Sequence, residues 1–208
     1  VMPEGYPEGL IAAVNLIGGL APKTLVPGHG RIQETTLASL QALSAVTANL
    51  MAQVRESVGN GNDLEATMAA VTMPGEFRKD PLLAATFKAC REPYVNRLFK
   101  NYTGYYGSNP VQFRPAPARE RSALLAELAG GNARLLATAT RLAGEGQYQL
   151  ALEILDIVTT NEPGNRDAHL AREQAFTALA RSGKDLNWYH RAAYFNAARK
   201  EKALAGVP

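Results

Sequence analysis

The chain has 208 residues, 46% of them hydrophobic and 20% charged, which suits one folded domain or one domain plus a remnant and excludes disorder by self-repulsion. A single cysteine, Cys90, excludes an internal disulfide and, with no clustered Cys and His, a zinc finger. The net charge of +3 comes from 22 Lys+Arg and 19 Asp+Glu scattered without a basic stripe, so nucleic acid is not an expected partner.

The first thirty residues differ from the rest. Leu10, Ile11, Val14, Ile17 and Leu20 recur at three- and four-residue spacing, one face of an amphipathic helix, which a Gly-Gly pair and Pro22 end. Thr24, Leu25 and Val26 read as a short buried strand running into Pro27-Gly28-His29-Gly30. One strand cannot satisfy its own backbone donors and acceptors, so its partners are expected from residues outside this chain. The segments Leu10–Leu20 and Ala133–Ala143 fall short of the ~20 apolar residues that cross a bilayer, and no membrane insertion is expected. Val1 carries neither a Met start nor an export signal, which predicts processing or truncation and assigns no compartment.

From Arg31 onward the pattern is helical. Arg31–Ser57 lacks Pro and Gly and places Leu37, Leu40, Leu43, Val46, Leu50 and Val54 on one stripe, closed by Gly59-Asn60-Gly61-Asn62. Asp63 caps a short helix that ends before Pro74. Asp80-Pro81 opens another through Leu82, Ala85, Phe87 and Cys90, which Pro93 kinks or restarts before it reaches Tyr102. Cys90 reads as a small buried apolar residue in this helix. A second helical block begins near Arg119, where Gly146, Tyr148, Ala151, Leu155 and Pro163 sit at the offsets of half a tetratricopeptide repeat, with Ala139 and Leu142 in the helix before. His169 and His190 fall within helices and take surface or satisfied-core roles.

Two loops carry candidate chemistry. His29, flanked by glycines at the end of a strand, has an imidazole on a tight turn with room for a ligand, which suits a metal ligand or a general base. Tyr102-Thr103-Gly104-Tyr105-Tyr106-Gly107-Ser108-Asn109-Pro110 packs three tyrosines among turn-forming residues, an ordered aromatic loop suited to lining a site or packing on its own domain.

The segment Val26–Gly30 resembles the last metal-ligand loop of the metallo-β-lactamase fold. Tyr102-x-Gly104-Tyr105-Tyr106-x-x-Asn109-Pro110 resembles the Tyr-x-Gly-Trp-Phe-Asp-Gly-Asn-Pro signature of the alkyl sulfatase dimerisation domain, with Tyr105 in place of Trp and Gly107 in place of Asp. Gly130-Gly131, Gly146-x-Tyr148-x-x-Ala151-Leu152 with Asp156 and Pro163, and Asn187-Trp188-Tyr189 with Ala192-Ala193 follow in that family's order. The resemblance implies a mainly all-α chain of antiparallel, tetratricopeptide-like helical hairpins. Residues 1–30 would be the remnant of an αβ/βα metallo-β-lactamase domain and 31–208 the dimerisation domain. It implies an intact homodimeric enzyme that hydrolyses an anionic sulfuric ester at two zinc ions, with His29 as one ligand and Tyr105, Tyr106 and Asn109 bordering the substrate. The His-x-His-x-Asp-His motif that supplies most ligands is absent, so this chain alone is expected to be inactive and to bind no zinc. The helices at 31–57 and 81–102 are expected to offer surplus apolar surface for an isologous dimer. A free-standing tetratricopeptide-like interaction module, with Phe176, Tyr189, Tyr194 and Phe195 lining a groove, is the alternative.

Overall fold

The computed structural model describes residues 6–26, 36–104, 109–182 and 188–207, which divide into two compact units at Phe113/Arg114. It is mainly all-α, and no strand occurs among the described residues. Unit 1 contains α1 (Pro7–Gly19), α2 (Thr36–Gly59), α3 (Leu64–Ala70), α4 (Gly75–Lys79), α5 (Pro81–Thr103) and a 3₁₀ turn at Pro110–Phe113. Unit 2 contains α6 (Ala118–Ala129), α7 (Asn132–Gly144), α8 (Tyr148–Asn161), α9 (Arg166–Ser182) and α10 (Trp188–Leu204).

The helix starts in unit 1 follow from side-chain capping. Asp63 accepts from the Ala66 N–H at 2.8 Å to begin α3, and Asp80 accepts from Leu82 at 2.8 Å and Leu83 at 3.2 Å to begin α5 behind Pro81. Pro93 does not end α5, which runs as one element from Pro81 to Thr103. Its apolar residues on both sides of the proline, Phe87 before it and Val95, Leu98 and Phe99 after it, are buried against Val46, Leu50 and Val54 of α2. That packing offsets the backbone hydrogen bond a mid-helix proline forfeits. Phe77 of α4 meets Phe87 edge-to-face at 6.2 Å.

The extended residues between α3 and α4 are pinned from two sides. The Gln53 amide donates to the Thr72 carbonyl and accepts from the Thr72 N–H, both at 2.9 Å, as a paired peptide would. From α5, Arg91 donates to the Val71 carbonyl at 2.9 Å and to the Met68 carbonyl, satisfying acceptors at the end of α3.

Three expectations need correction. Thr24–Val26 forms no strand: Leu25 makes an isolated bridge and Val26 is 73% exposed, because the described residues offer its backbone no neighbouring strand. Leu37–Gly59 of α2 is long and apolar enough to cross a membrane by length and composition, although no segment was expected to be. Its fully buried Val46, Leu50 and Val54 form the core of unit 1. For the same reason α2 and α5 offer little surplus apolar surface, since their stripes pack on one another.

In unit 2, α7 and α8 form an antiparallel hairpin whose turn needs a positive φ, supplied by Gly146 at +80°. Ala139 and Ala151 are fully buried beside Leu142, Leu155 and Val158, so small side chains sit where the two helices meet. Helix α6 packs on α7 and α8, α7 also on α9, and α9 on α8 and α10. The helix ends are tied by amides: Asn161 donates to the Ser122 carbonyl and to Asn132 Oδ1, each at 3.0 Å. Asn132 and Asn165 donate to the Glu162 carboxylate at 2.8 and 2.7 Å, and these bonds hold that carboxyl below its ordinary range.

Candidate functional site

Of the residues singled out in the sequence, His29, Tyr105 and Tyr106 lie outside the described residues. Asn109 is described and exposed. Its Oδ1 accepts from the Val111 N–H at 3.1 Å while its backbone carbonyl accepts from Gln112 at 2.9 Å, so it starts the 3₁₀ turn. The carbonyl half of the amide therefore has a structural task, and among the described residues the N–H₂ half makes no hydrogen bond. At the other end of this segment Tyr102 is half-buried, with the Arg55 guanidinium 5.5 Å from its ring centroid.

No group of three or more His, Cys, Asp or Glu among the described residues is placed to hold a metal ion. His29, the one ligand of the zinc pair that the resemblance places in this chain, lies outside the described residues. His169 is buried, and both ring nitrogens are engaged. Nε2 donates to the Pro163 carbonyl at 2.8 Å, and Nδ1 lies 2.6 Å from a Glu201 carboxyl oxygen. Arg172 completes the cluster, with Nε 3.0 Å from the second Glu201 oxygen and a terminal nitrogen 2.9 Å from Asp156. These residues come from α8, α9 and α10, so the cluster is a clamp across three helices with every group committed. This is the satisfied-core role expected for His169, and the sequence carries no local signal for the pairing because Glu201 lies 32 residues away.

Cys90 is half-buried in α5, and burial pushes its thiol up, away from the reactive thiolate. Phe176 stacks on Tyr194 at 6.1 Å within the α9–α10 pair rather than standing in a groove, while Phe195 is partly exposed. The side chain of Tyr189 lies outside the described residues.

The conspicuous exposed feature of unit 2 is one that the sequence reading passed over. On α6, Leu124, Leu125 and Leu128 are 56%, 41% and 76% exposed, while Ser122 and Ala126 on the opposite side are buried. The spacing of four between Leu124 and Leu128, with Leu125 beside them, is the signal that was available.

The described chain is thus helical, with committed polar clusters and a leucine face on α6 that is left exposed. Comparison with known proteins supplies the family. A model of the family described as alkyl sulfatase dimerisation matches residues 64–203, and the chain belongs to that family. It is 21% identical over 188 residues to a linear primary-alkylsulfatase from Pseudomonas sp. (strain ATCC 19151), covering 86% of this chain and 34% of that protein. It is 24% identical over 116 residues to an (R)-specific secondary-alkylsulfatase from Pseudomonas sp., covering 56% and 17%. Among solved structures, a double mutant of the sec-alkyl sulfatase PisA1 superposes with a TM-score of 0.75 at 21% identity, over 100% of this chain and 32% of that one. The inverting sec-alkylsulfatase Pisa1 from Pseudomonas sp. gives 0.72 at 19% identity, over 99% and 32%. The chain thus spans about a third or less of the length of these relatives. Family membership favours the sulfatase reading over the free-standing module.

Proposed function

We propose that this chain is the dimerisation part of an alkyl sulfatase-like hydrolase, joining two copies through unit 2, with the α6 leucines as the apolar part of the contact. The family match across residues 64–203 carries the reading, and the exposed Leu124, Leu125 and Leu128 give it a surface. Two differently tagged copies, co-expressed, should co-purify through either tag. Recovery of only the tagged copy would defeat the proposal.

In the intact enzyme, residues 1–30 would form the closing edge of a metallo-β-lactamase-type domain, with His29 contributing one ligand to a pair of zinc ions. Zinc there would supply Lewis-acid stabilisation of an anionic sulfate ester. Because His29 lies outside the described residues, no catalytic step is assigned to this chain. We read unit 2 as tetratricopeptide-like, supported by the Gly146 turn and by the buried Ala139 and Ala151.

Tyr105, Tyr106 and Asn109 would border the substrate. The amide N–H₂ of Asn109, which makes no hydrogen bond to a described residue, suits an anionic oxygen, and its Oδ1 keeps the turn. The separation of the two tasks gives a test in a full-length relative. Asn109→Asp at the corresponding position retains the turn acceptor and should lower turnover of an alkyl sulfate at least about tenfold with little loss of stability. Unchanged kinetics would remove Asn109 from the site.

A further inference from the structure

Helix α10 carries its charge unevenly. Its 17 residues include Arg191, Arg199, Lys200 and Lys202, all exposed, and one acid, Glu201, which is buried and held by His169 and Arg172. No negative side chain of α10 therefore reaches its surface. Arg191, Phe195, Arg199 and Lys202 follow one another at spacings of four, four and three residues, so they lie along one exposed side of the helix, a stripe about 16 Å long. Linear order hides this stripe, because only the helical turn brings its members into line.

A solvated helix face ordinarily mixes both signs, and α6 does so with the exposed Arg119, Glu120, Arg121 and Glu127. The helix macrodipole accounts for Lys202 in the last turn of α10, but its effect fades within a turn, and toward the N-terminal end, where Arg191 stands, it disfavours a cation. Arg199, Lys200 and Lys202 form no ion pair with any described residue, and the Arg199 guanidinium donates only to the neighbouring Asn196 amide. Phe195 stands partly exposed between Arg191 and Arg199.

Cations without a counter-charge, with an aromatic ring among them, fit one kind of partner. We infer that this side of α10 docks a short acidic segment of another protein, its carboxylates on Arg199 and Lys202 and an apolar side chain against Phe195. Arginine takes a carboxylate through two parallel N–H donors, which fixes orientation as well as charge. Burial of Glu201 keeps the only competing carboxylate of α10 away from these cations. An anionic lipid surface is a poorer fit. The exposed apolar residues Phe195 and Leu204 are nine positions apart, on opposite sides of the helix, so they cannot insert together. A polynucleotide, charged at every step, would run past the ends of so short a stripe on a chain whose net charge is only +3.

The test is the fluorescence anisotropy of a fluorescein-labelled peptide of glutamates with a central tryptophan, titrated with the full chain. Binding should saturate, and raising salt from about 0.05 M to about 0.5 M should weaken it at least about tenfold. Arg199→Glu with Lys202→Glu should weaken it at least about tenfold and Phe195→Ala at least about threefold, while Arg119→Glu with Arg121→Glu on α6 should change it less than about twofold. All of these side chains are exposed, so each variant should unfold at the Tm of the parent. Absence of saturation below about 1 mM overturns the inference. An equal loss from the α10 and α6 reversals overturns it too, since that is the mark of diffuse attraction between net charges. So does a peptide still held by the α10 variant, or tighter binding to vesicles of about one-third phosphatidylserine or to an oligothymidylate of about 20 nucleotides than to the peptide. Each of these results leaves the dimerisation reading intact.

Discussion

Glu201→Ala is the substitution whose cost the structure defines best. Both partners of the His169–Glu201 contact are more than nine-tenths buried, with side-chain exposures of 5% and 8%, so solvent screening takes little from it. Removing the carboxylate leaves the Nδ1 of His169 and the Nε of Arg172 facing a gap, since those groups lie 2.6 and 3.0 Å from its two oxygens. Breaking a buried pair by deleting one partner costs about 3–5 kcal/mol, the greater part being the penalty on the group left behind. For a unit of this size that is a fall in Tm of roughly 15–25 °C. The companion variant Glu201→Met with His169→Leu removes both sides of the contact and leaves Arg172 its Asp156 partner. It should recover at least half the loss, because replacing a buried pair by apolar groups is close to neutral. Urea unfolding followed by circular dichroism measures both. A Glu201→Ala variant within about 0.5 kcal/mol of the parent, or a companion no better than the single variant, would refute the clamp.

Two smaller predictions concern Cys90 and Glu162. Cys90, pushed up by burial in α5, should react with iodoacetamide at least about tenfold more slowly in the native chain than in urea at about pH 8, and equal rates would refute its burial. Glu162 is held below its ordinary value of 4.5 by Asn132 and Asn165, so its contribution to stability is complete above that value and is lost as pH falls through the lowered one. The stability difference between the parent and Glu162→Gln should then be constant near neutrality and shrink toward about pH 3, and a pH-independent difference would contradict the two hydrogen bonds.

The local devices of the fold were legible in the sequence, and the long-range ones were not. Asp63, Asp80-Pro81 and Gly146 each announce a helix boundary through chemistry confined to a few residues, and each does what its neighbours dictate. Pro93 shows the limit of such reasoning, since the burial of Phe87, Val95, Leu98 and Phe99 outweighs the local penalty and carries α5 through it. The strand expected at Thr24–Val26 shows the converse. Its β-branched, apolar composition is a preference only, and with no neighbouring strand among the described residues it yields a single bridge at Leu25. Asn109 was singled out for a ligand, while its side-chain carbonyl serves the turn, a use that shows only once the backbone geometry is known. The His169–Glu201–Arg172–Asp156 clamp left no mark in the sequence because its members meet only through the packing of α8, α9 and α10. The α6 leucines were visible in the sequence, but only the structure shows them pointing away from the core.

The central claim is that unit 2 joins two copies of the chain, and its most direct test is the solution mass of the parent beside Leu124→Asp with Leu128→Asp. Both leucines are exposed, so the substitutions leave the core untouched, while a buried contact would lose roughly 2–4 kcal/mol of apolar burial per protomer and gain charges to desolvate. Sedimentation equilibrium at about 1–100 µM should return the mass of two chains for the parent and one for the variant, with unfolding of the variant unchanged. A parent of one-chain mass across that range, or a variant that remains dimeric, would contradict the account.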